Sequence, residues 1–403
     1  IHSYSSVPTA HNSLLNIRTS ILSAILGWSF TLCRLARHHQ VTMWVWHFIT
    51  SSVFVSLLIS HCHASSTTNS QQAIFSGLNV PWNSFGYDIG TNSYDPDYFE
   101  TFFEFGQMNN QNVARFWIHC DGRKSPLFDD DVGNTGNVIG LSESFLSDLI
   151  DLVTRASQHN IVLQLCLWSF DMCTDETIPR DETITNITNI QSYINNALNP
   201  ILDSLILNNL DKGVIIEVIN EPEWCMQGTC DTTDCVEVVE MQRFVGMQAS
   251  AAHSKGFKVT VGSASLKWNS DSGSGEGNYW SDAALISASN GDPNAHLDLY
   301  NVHYYDWMYD PTWGYDPCRE DVSYWELDKA TVVAELPATS QFYSATEMIN
   351  CAYTNGFYGD MFWAYNGGDD FPDTASIEPM SDFVTNHSAI DNYEVLVDFI
   401  ANL

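Results

Sequence analysis

Short apolar runs alternate with amphipathic stretches along most of this chain, and this alternation restricts the fold more than any other feature. Each run has four to seven residues and most are rich in β-branched side chains, which is typical of strands and too short for helices. The predicted strands cover residues 74–80, 113–118, 161–167, 214–219, 258–262, 297–302, 331–334 and 358–362.

The segments between these strands have the periodicity of amphipathic helices. Apolar residues of 142–159 fall on one face, and 235–252, 344–354 and 393–403 have similar patterns. Strands that alternate with helices indicate an α/β fold with a parallel sheet, and eight such units predict a closed (β/α)8 or TIM barrel with enlarged rim loops. A doubly wound open sheet is the alternative, but no Gly-x-Gly-x-x-Gly turn follows an early strand.

Two glutamates stand at the ends of predicted strands, 114 residues apart. Glu221 lies in the sequence Ile-Asn-Glu-Pro and Glu335 in Val-Ala-Glu-Leu. In a parallel barrel both would project from the C-terminal rim, where such barrels carry their chemistry. A pair of carboxyl groups, one protonated and one ionised, is what cleavage of a glycosidic bond requires. Either glutamate alone could instead be a solvated rim residue.

Four polar residues in or next to the predicted strands could assist this pair. Arg115 lies inside a predicted strand, where burial is costly unless the guanidinium meets a carboxylate, so we expect it to hold Glu335 ionised. An ordinary structural ion pair is the alternative. His303 could donate a hydrogen bond to a carboxylate or to a sugar hydroxyl. Tyr305 could donate one to whichever carboxylate acts as the nucleophile, and Asn220 could bind the sugar 2-hydroxyl. The charge of Glu335 is expected to raise the pKa of Glu221.

Aromatic residues are also concentrated near the predicted rim. The chain has 13 tryptophans, and an indole face packs well against the C–H face of a sugar ring. Core packing is an equally good explanation for each one alone. The candidates for a sugar-binding floor are Trp82, Trp168, Trp224, Trp307 and Trp363.

The N-terminal region predicts a secretory leader. Residues 43–64 contain an apolar stretch that ends in Cys-His-Ala, which resembles a signal-peptide cleavage site. Residues 1–42 contain no Asp or Glu and are expected to be translated upstream sequence rather than a structural domain. The predicted mature protein, residues 65–403, is then a single catalytic domain that is extracellular and free of membrane.

Charge and cysteine content are also compatible with an extracellular protein that does not bind membranes. The net charge is −34, and loss of the leader with its three arginines would leave 12 basic residues, 49 acidic residues and a net charge of −37. Such a surface repels nucleic acids and anionic membranes. Eight of the ten cysteines follow residue 64, which favours disulfides. For Cys225, Cys230 and Cys235, local disulfides in a rim loop are a better prediction than a metal site.

Several of these motifs together resemble a known family. The segment 77–82 (Gly-Leu-Asn-Val-Pro-Trp), Arg115, Asn220-Glu221-Pro222, His303-Tyr304-Tyr305, Glu335 and Trp363 resemble glycoside hydrolase family 5 in order and spacing, over about residues 72–400. The segments 117–122 and 303–307 look like those of secreted invertebrate endo-β-1,4-mannanases.

The resemblance implies a retaining double displacement with Glu221 as acid/base and Glu335 as nucleophile. It also implies a supporting set of binding residues, namely Arg115, Asn220, His303, Tyr305, Trp363, Trp82, Trp168, Trp224, Trp307 and His119.

The sequence therefore predicts a secreted endo-β-1,4-mannanase. Its expected partner is a neutral plant-type polysaccharide such as mannan, glucomannan or galactomannan, and a monomer without cofactor or metal is expected. An endo-β-1,4-glucanase of the same fold is the first alternative. A non-catalytic glycan-binding protein is the second, although that class predicts loss of a catalytic carboxylate.

Overall fold

A closed barrel of eight parallel strands forms the centre of the computed structural model, which describes residues 73–129, 136–174, 180–230, 235–310, 313–366, 378–387 and 393–403. Neighbouring strands follow chain order, and the last pairs with the first. All eight predicted strands and the predicted barrel are confirmed. The strands are Phe75–Asn79 (β1), Val113–Cys120 (β2), Val162–Ser169 (β3), Val214–Asn220 (β4), Lys258–Ser263 (β5), Tyr300–His303 (β6), Thr331–Pro337 (β7) and Gly359–Trp363 (β8).

Helices occupy most of the connections between the strands, and the four predicted helices are present. Local sequence fixes several starts: Asp95 caps the first helix by accepting from two backbone amides, and Pro96 follows in the first turn. The helices are Pro96–Met108 (α1), Phe145–Gln158 (α2), Asp171–Thr174 (α3), Asp181–Thr185 (α4), Ile187–Tyr193 (α5), Asn199–Leu207 (α6), Val238–His253 (α7), Asp282–Ala288 (α8), Ala345–Thr354 (α9), Glu378–Asn386 (α10) and Tyr393–Ala401 (α11).

The N-terminal end of the barrel is closed by an apolar cluster. Phe75, Val113 and Ile215, near the starts of three strands, pack in one cluster with Leu396 and Ile400 of α11. Since α11 covers this end, the interior of the barrel opens only toward the carboxyl ends of the strands in the described part of the chain.

Loops at the carboxyl ends of the strands are long, as predicted, and disulfides hold some of them. Cys173–Cys225 joins the loops after β3 and β4, and Cys230–Cys235 links two cysteines of the second of these loops. Disulfides are present at Cys225, Cys230 and Cys235, as predicted, but only Cys230–Cys235 is local, because Cys225 pairs with a cysteine of the preceding loop. Cys318–Cys351 links the loop after β6 to α9, whereas Cys120 and Cys166 are buried thiols.

The described residues belong to one compact unit, Gln71–Leu403. The predicted upstream region and leader, residues 1–64, lie outside the described residues. Within those residues, no helix combines the length and the apolar character that crossing a bilayer requires.

Candidate active site

Glu221 and Glu335 meet at the carboxyl end of the barrel. Glu221 directly follows β4, and Glu335 lies in β7, where it is paired in register with His303 of β6. One carboxylate oxygen of each glutamate and one ring nitrogen of His303 lie within 4.8 Å of one another. The barrel therefore brings together two carboxyl groups that are far apart in sequence.

The backbone at Glu221 adopts a left-handed conformation, with φ of 46° and ψ of 50°. This conformation is unfavourable for a glutamate, and it is held here by a hydrogen bond of 2.6 Å from the Glu221 amide to the Gly262 carbonyl. Pro222 then starts a short 3-10 turn. The sharp turn directs the chain away from β4 while the Glu221 side chain stays over the barrel.

The Glu335 carboxylate is held at both oxygens. Arg115 Nη1 donates to Oε1 and the Tyr305 hydroxyl donates to Oε2, each at 2.5 Å. Burial raises the pKa of Glu335 and the charge of Glu221 adds to the rise, while the charge of Arg115 and the hydrogen bond from Tyr305 act against it. The predicted contacts of Arg115 and Tyr305 with this carboxylate are present in the structure.

Glu221 has a different environment. Its Oε2 accepts a hydrogen bond of 2.8 Å from Trp224 Nε1, and its Oε1 lies 2.8 Å from His303 Nδ1. Burial raises the pKa of Glu221 to about 7. The expected cause, the charge of Glu335, is wrong: desolvation is the largest contribution, and the charge that adds to it comes from Glu217.

His303 is a neutral bridge between the two glutamates. Burial lowers its pKa to about 4, so the ring is uncharged near neutral pH. Nδ1 lies 2.8 Å from Glu221 and 3.5 Å from Glu335. A neutral imidazole can donate to a carboxylate or accept from a protonated one at this nitrogen, so the contact is compatible with either state of Glu221.

Arg115 is fully buried and its contacts extend beyond the predicted one. It binds Glu217 through Nε and Nη2 at 2.6 and 2.5 Å, and it also donates to the side-chain oxygens of Asn220 and Asn79 at 2.7 and 3.1 Å. Sequence reasoning missed Glu217. The available signal was a carboxylate inside an otherwise apolar strand that is as costly to bury as the arginine itself.

A cavity of about 510 Å³ lies over the two glutamates. Three tryptophans on one side, Trp82, Trp117 and Trp363, contact each other edge to face with centroids 5.3 to 5.9 Å apart. Trp82 and Trp363 were predicted for this role. The cavity also has lining residues that the sequence analysis did not select, namely Trp117, Phe85, Arg123, Ser169, Phe170 and Asp171.

Two predicted binding residues are in the core instead. Trp168 is fully buried and packs against His119 and Tyr193, each with ring centroids 4.9 Å apart. The His119 ring is also fully buried, contacts Ser125 Oγ at 2.9 Å, and burial lowers its pKa to about 3. Both side chains point away from the cavity because they fill the space between β2, β3 and the surrounding helices.

Trp224 and Trp307 form a second aromatic surface beside Glu221. Their ring centroids are 6.2 Å apart, and Trp313 lies 4.5 Å from Trp307. Trp307 is 43% exposed, so its indole is available to a ligand. The hydrogen bond between Trp224 and Glu221 connects this surface to the glutamate pair.

Two groups of described side chains could each offer three ligand atoms to a metal ion. One consists of Glu221, Glu335 and His303. The carboxylate oxygens of the two glutamates already accept hydrogen bonds from Arg115, Tyr305 and Trp224. The other, His253, His296 and Asp298, lies near the start of β6, and both ring nitrogens of His253 already contact oxygen atoms. Direct hydrogen bonds therefore account for both groups.

Comparison with known proteins places this geometry in context. No protein-family model matches the chain. The mannan endo-1,4-beta-mannosidase of Mytilus edulis is 28% identical over 319 residues, which cover 73% of this chain and 84% of that protein. The enzyme of the same name from Cryptopygus antarcticus is 27% identical over 359 residues, with coverage of 82% and 90%.

The endo-1,4-beta-mannanase of Eisenia fetida has a similar solved structure, with a TM-score of 0.71 and 25% identity over 82% of this chain and 96% of that one. The prediction of a glycoside hydrolase is confirmed by these similarities, and the chain resembles the invertebrate endo-β-1,4-mannanases in both sequence and fold.

Proposed function

We propose that this chain is a secreted endo-β-1,4-mannanase that cleaves internal bonds of mannan, glucomannan or galactomannan with retention of configuration. The observation that carries the proposal is the close approach of Glu221 and Glu335, in which one oxygen of the first carboxylate lies within 4.8 Å of one oxygen of the second. Retaining enzymes hold their carboxyl groups about 5–5.5 Å apart, whereas inverting enzymes leave about 6.5–9.5 Å for a water molecule.

The contacts of the two glutamates support different roles. Glu335, ion-paired with Arg115, attacks the anomeric carbon, and the bond from that carbon to the leaving oxygen breaks. Glu221, with its raised pKa, donates a proton to the leaving oxygen. Water then attacks the glycosyl-enzyme, Glu221 takes the proton, and Glu335 is released as carboxylate.

The surrounding residues support binding of a sugar chain. Asn220 accepts from Arg115 through Oδ1, which orients its amide nitrogen to donate to the sugar 2-hydroxyl. Trp82 and Trp363 offer indole faces to the sugar that reacts, and Trp307 offers one to the leaving portion. A neutral polysaccharide is compatible with a net charge of −34, which disfavours acidic polymers.

Release of reducing sugar from mannan, cellulose and xylan, measured side by side, tests the activity. Mannan should be the preferred substrate, and NMR at early times should show the β-anomer as first product. Preferential cleavage of cellulose would indicate the glucanase, and binding without cleavage would indicate a glycan-binding protein. An initial α-anomer would exclude retention.

Secretion is a separate part of the proposal, supported by the apolar stretch 43–64 and by three disulfides, which are stable in oxidising compartments. Protein recovered from the medium of a secreting host should begin near Ser65. A mature N-terminus upstream of Met43 would contradict it. Gel filtration of this material should give the mass of a monomer.

A further inference from the structure

Glu217 is an ionisable group of the barrel interior to which the proposed mechanism gives no role. It is fully buried in β4, four residues before the acid/base Glu221. Its pKa is lowered because the charge and hydrogen bonds of Arg115 overcome the effect of burial. The residue is therefore a buried carboxylate whose ionised form is favoured by its ion pair with Arg115.

Every N–H group of the Arg115 guanidinium has an acceptor, and Glu217 takes two of the five. Glu217 Oε2 and Oε1 bind Nε and Nη2, which fixes the edge of the guanidinium. Nη1 is then left to face Glu335 and Asn79. The Trp117 ring lies 4.1 Å from the guanidinium carbon and limits rotation out of this plane.

The barrel wall is shaped to accept this pair. A Cβ atom at Gly262 of β5 would lie 2.3 Å from Glu217 Oε1 and 2.7 Å from Arg115 Nη2. A side chain at this position would displace one of the two charged groups. Gln164 of β3 completes the arrangement by donating to Glu217 Oε2 at 2.6 Å.

Arg115 is also shared between two carboxylates. It contacts Glu217 and Glu335 at 2.5 Å each, and within the described residues no other arginine or lysine contacts either group. The ionised Glu217 therefore offsets part of the positive charge that would otherwise act on Glu335 alone. A carboxylate that faces a full positive charge is a weaker base and a weaker nucleophile.

We propose that Glu217 is a positioning residue for hydrolysis, which directs Arg115 Nη1 at Glu335 and limits the positive charge that the nucleophile receives. This inference rests on the proposed function only for its kinetic consequence. The effect on the ionisation of Glu335 is expected whether or not mannan is the substrate.

The test is the titration of Glu335 in protein labelled with ¹³C at the glutamate carboxyl groups, with Glu335→Gln used to assign the NMR signal. Glu217→Gln keeps the side-chain volume and removes the charge, so the pKa of Glu335 should fall by roughly one unit. The acidic limb of the kcat/KM profile should move to lower pH by the same amount.

Gln164→Met provides a second variant that keeps the ion pair intact. Loss of the hydrogen bond from Gln164 leaves the charge of Glu217 less dispersed. The pKa of Glu335 should therefore rise, by less than it falls in Glu217→Gln. Asp298→Asn is the matched control, since it removes a carboxylate paired with Lys258 and His253 near the start of β6. It should leave the titration of Glu335 unchanged.

Opposite shifts in the two variants support the inference, and they also exclude a general loss of stability as the cause. An unchanged Glu335 titration in either folded variant would overturn it, and Gln164→Met alone decides the matter if Glu217→Gln does not fold. Absence of mannan cleavage by the parent protein, with the titration shifts present, would instead overturn the proposed function and leave this inference in place.

Discussion

The raised pKa of Glu221 predicts that the proposed acid/base weakens the fold at neutral pH. Burial moves this pKa from 4.5 to about 7. Between these values the unfolded chain loses its proton more readily than the folded protein, so the free energy of unfolding falls as pH rises. A shift of this size contributes about 3 kcal/mol to the free energy of unfolding. This contribution is fully present below pH 4.5 and is lost once the pH exceeds 7.

The substitution Glu221→Gln removes this titration and keeps an oxygen that can accept from Trp224. Wild type and variant should be about equally stable at pH 4, where the wild-type carboxyl is protonated. At pH 8 the variant should be the more stable by about 3 kcal/mol. Other buried carboxyls, such as Glu223 with its pKa of about 7, affect both proteins equally and cancel in the difference.

Urea unfolding from pH 4 to pH 8, followed by tryptophan fluorescence with the disulfides intact, gives the free energy of unfolding of both proteins as a function of pH. Glu104→Gln, at an exposed position of α1, controls for the loss of a carboxylate as such. If the free energies of unfolding of variant and wild type differ by the same amount from pH 4 to pH 8, the reasoning is refuted. A variant that becomes the less stable at high pH would show that the folded protein favours the ionised form of Glu221.

Further predictions concern the reaction itself. Since Glu221 must be protonated to act as acid, kcat/KM should decrease as pH rises through about 7, as measured in a pH–rate profile. Glu335→Ala should abolish hydrolysis, and azide should restore some cleavage to give a glycosyl azide of inverted configuration by NMR; a retained azide would reverse the two roles. Glu221→Ala should reduce cleavage of mannan far more than that of activated aryl mannosides, and equal losses would contradict its role as acid. Trp363→Ala should lower turnover with an unchanged circular dichroism spectrum, because the lost stacking on the sugar contributes on the order of 1 kcal/mol. If the variant unfolds while its remaining native fraction keeps full turnover, Trp363 belongs to the core.

Strand positions and the location of the two glutamates could be predicted because they depend on local pattern. β-Branched apolar runs of limited length specify strands, and eight of them with intervening helices leave few arrangements other than a barrel. Once the barrel is assumed, a residue that ends a strand has a known location. Glu221 and Glu335 are brought together in the structure for this reason.

The partners of individual side chains could not be predicted, because they depend on which strands are neighbours and on where each side chain points. Trp168 and Trp363 both end strands, yet the first is fully buried in the core and the second lines the cavity. Likewise, the pairing of Cys173 with Cys225 depends on adjacent loops after β3 and β4.

The sequence by itself thus determined the barrel, its open rim and the two carboxyl groups that stand there. Only the tertiary structure decided how these groups are charged. Burial rather than mutual repulsion raises the pKa of Glu221, and Arg115 divides its charge between Glu335 and Glu217. Desolvation and ion pairing act over a few ångströms between residues far apart in the chain, so they follow from the packed barrel and not from local sequence.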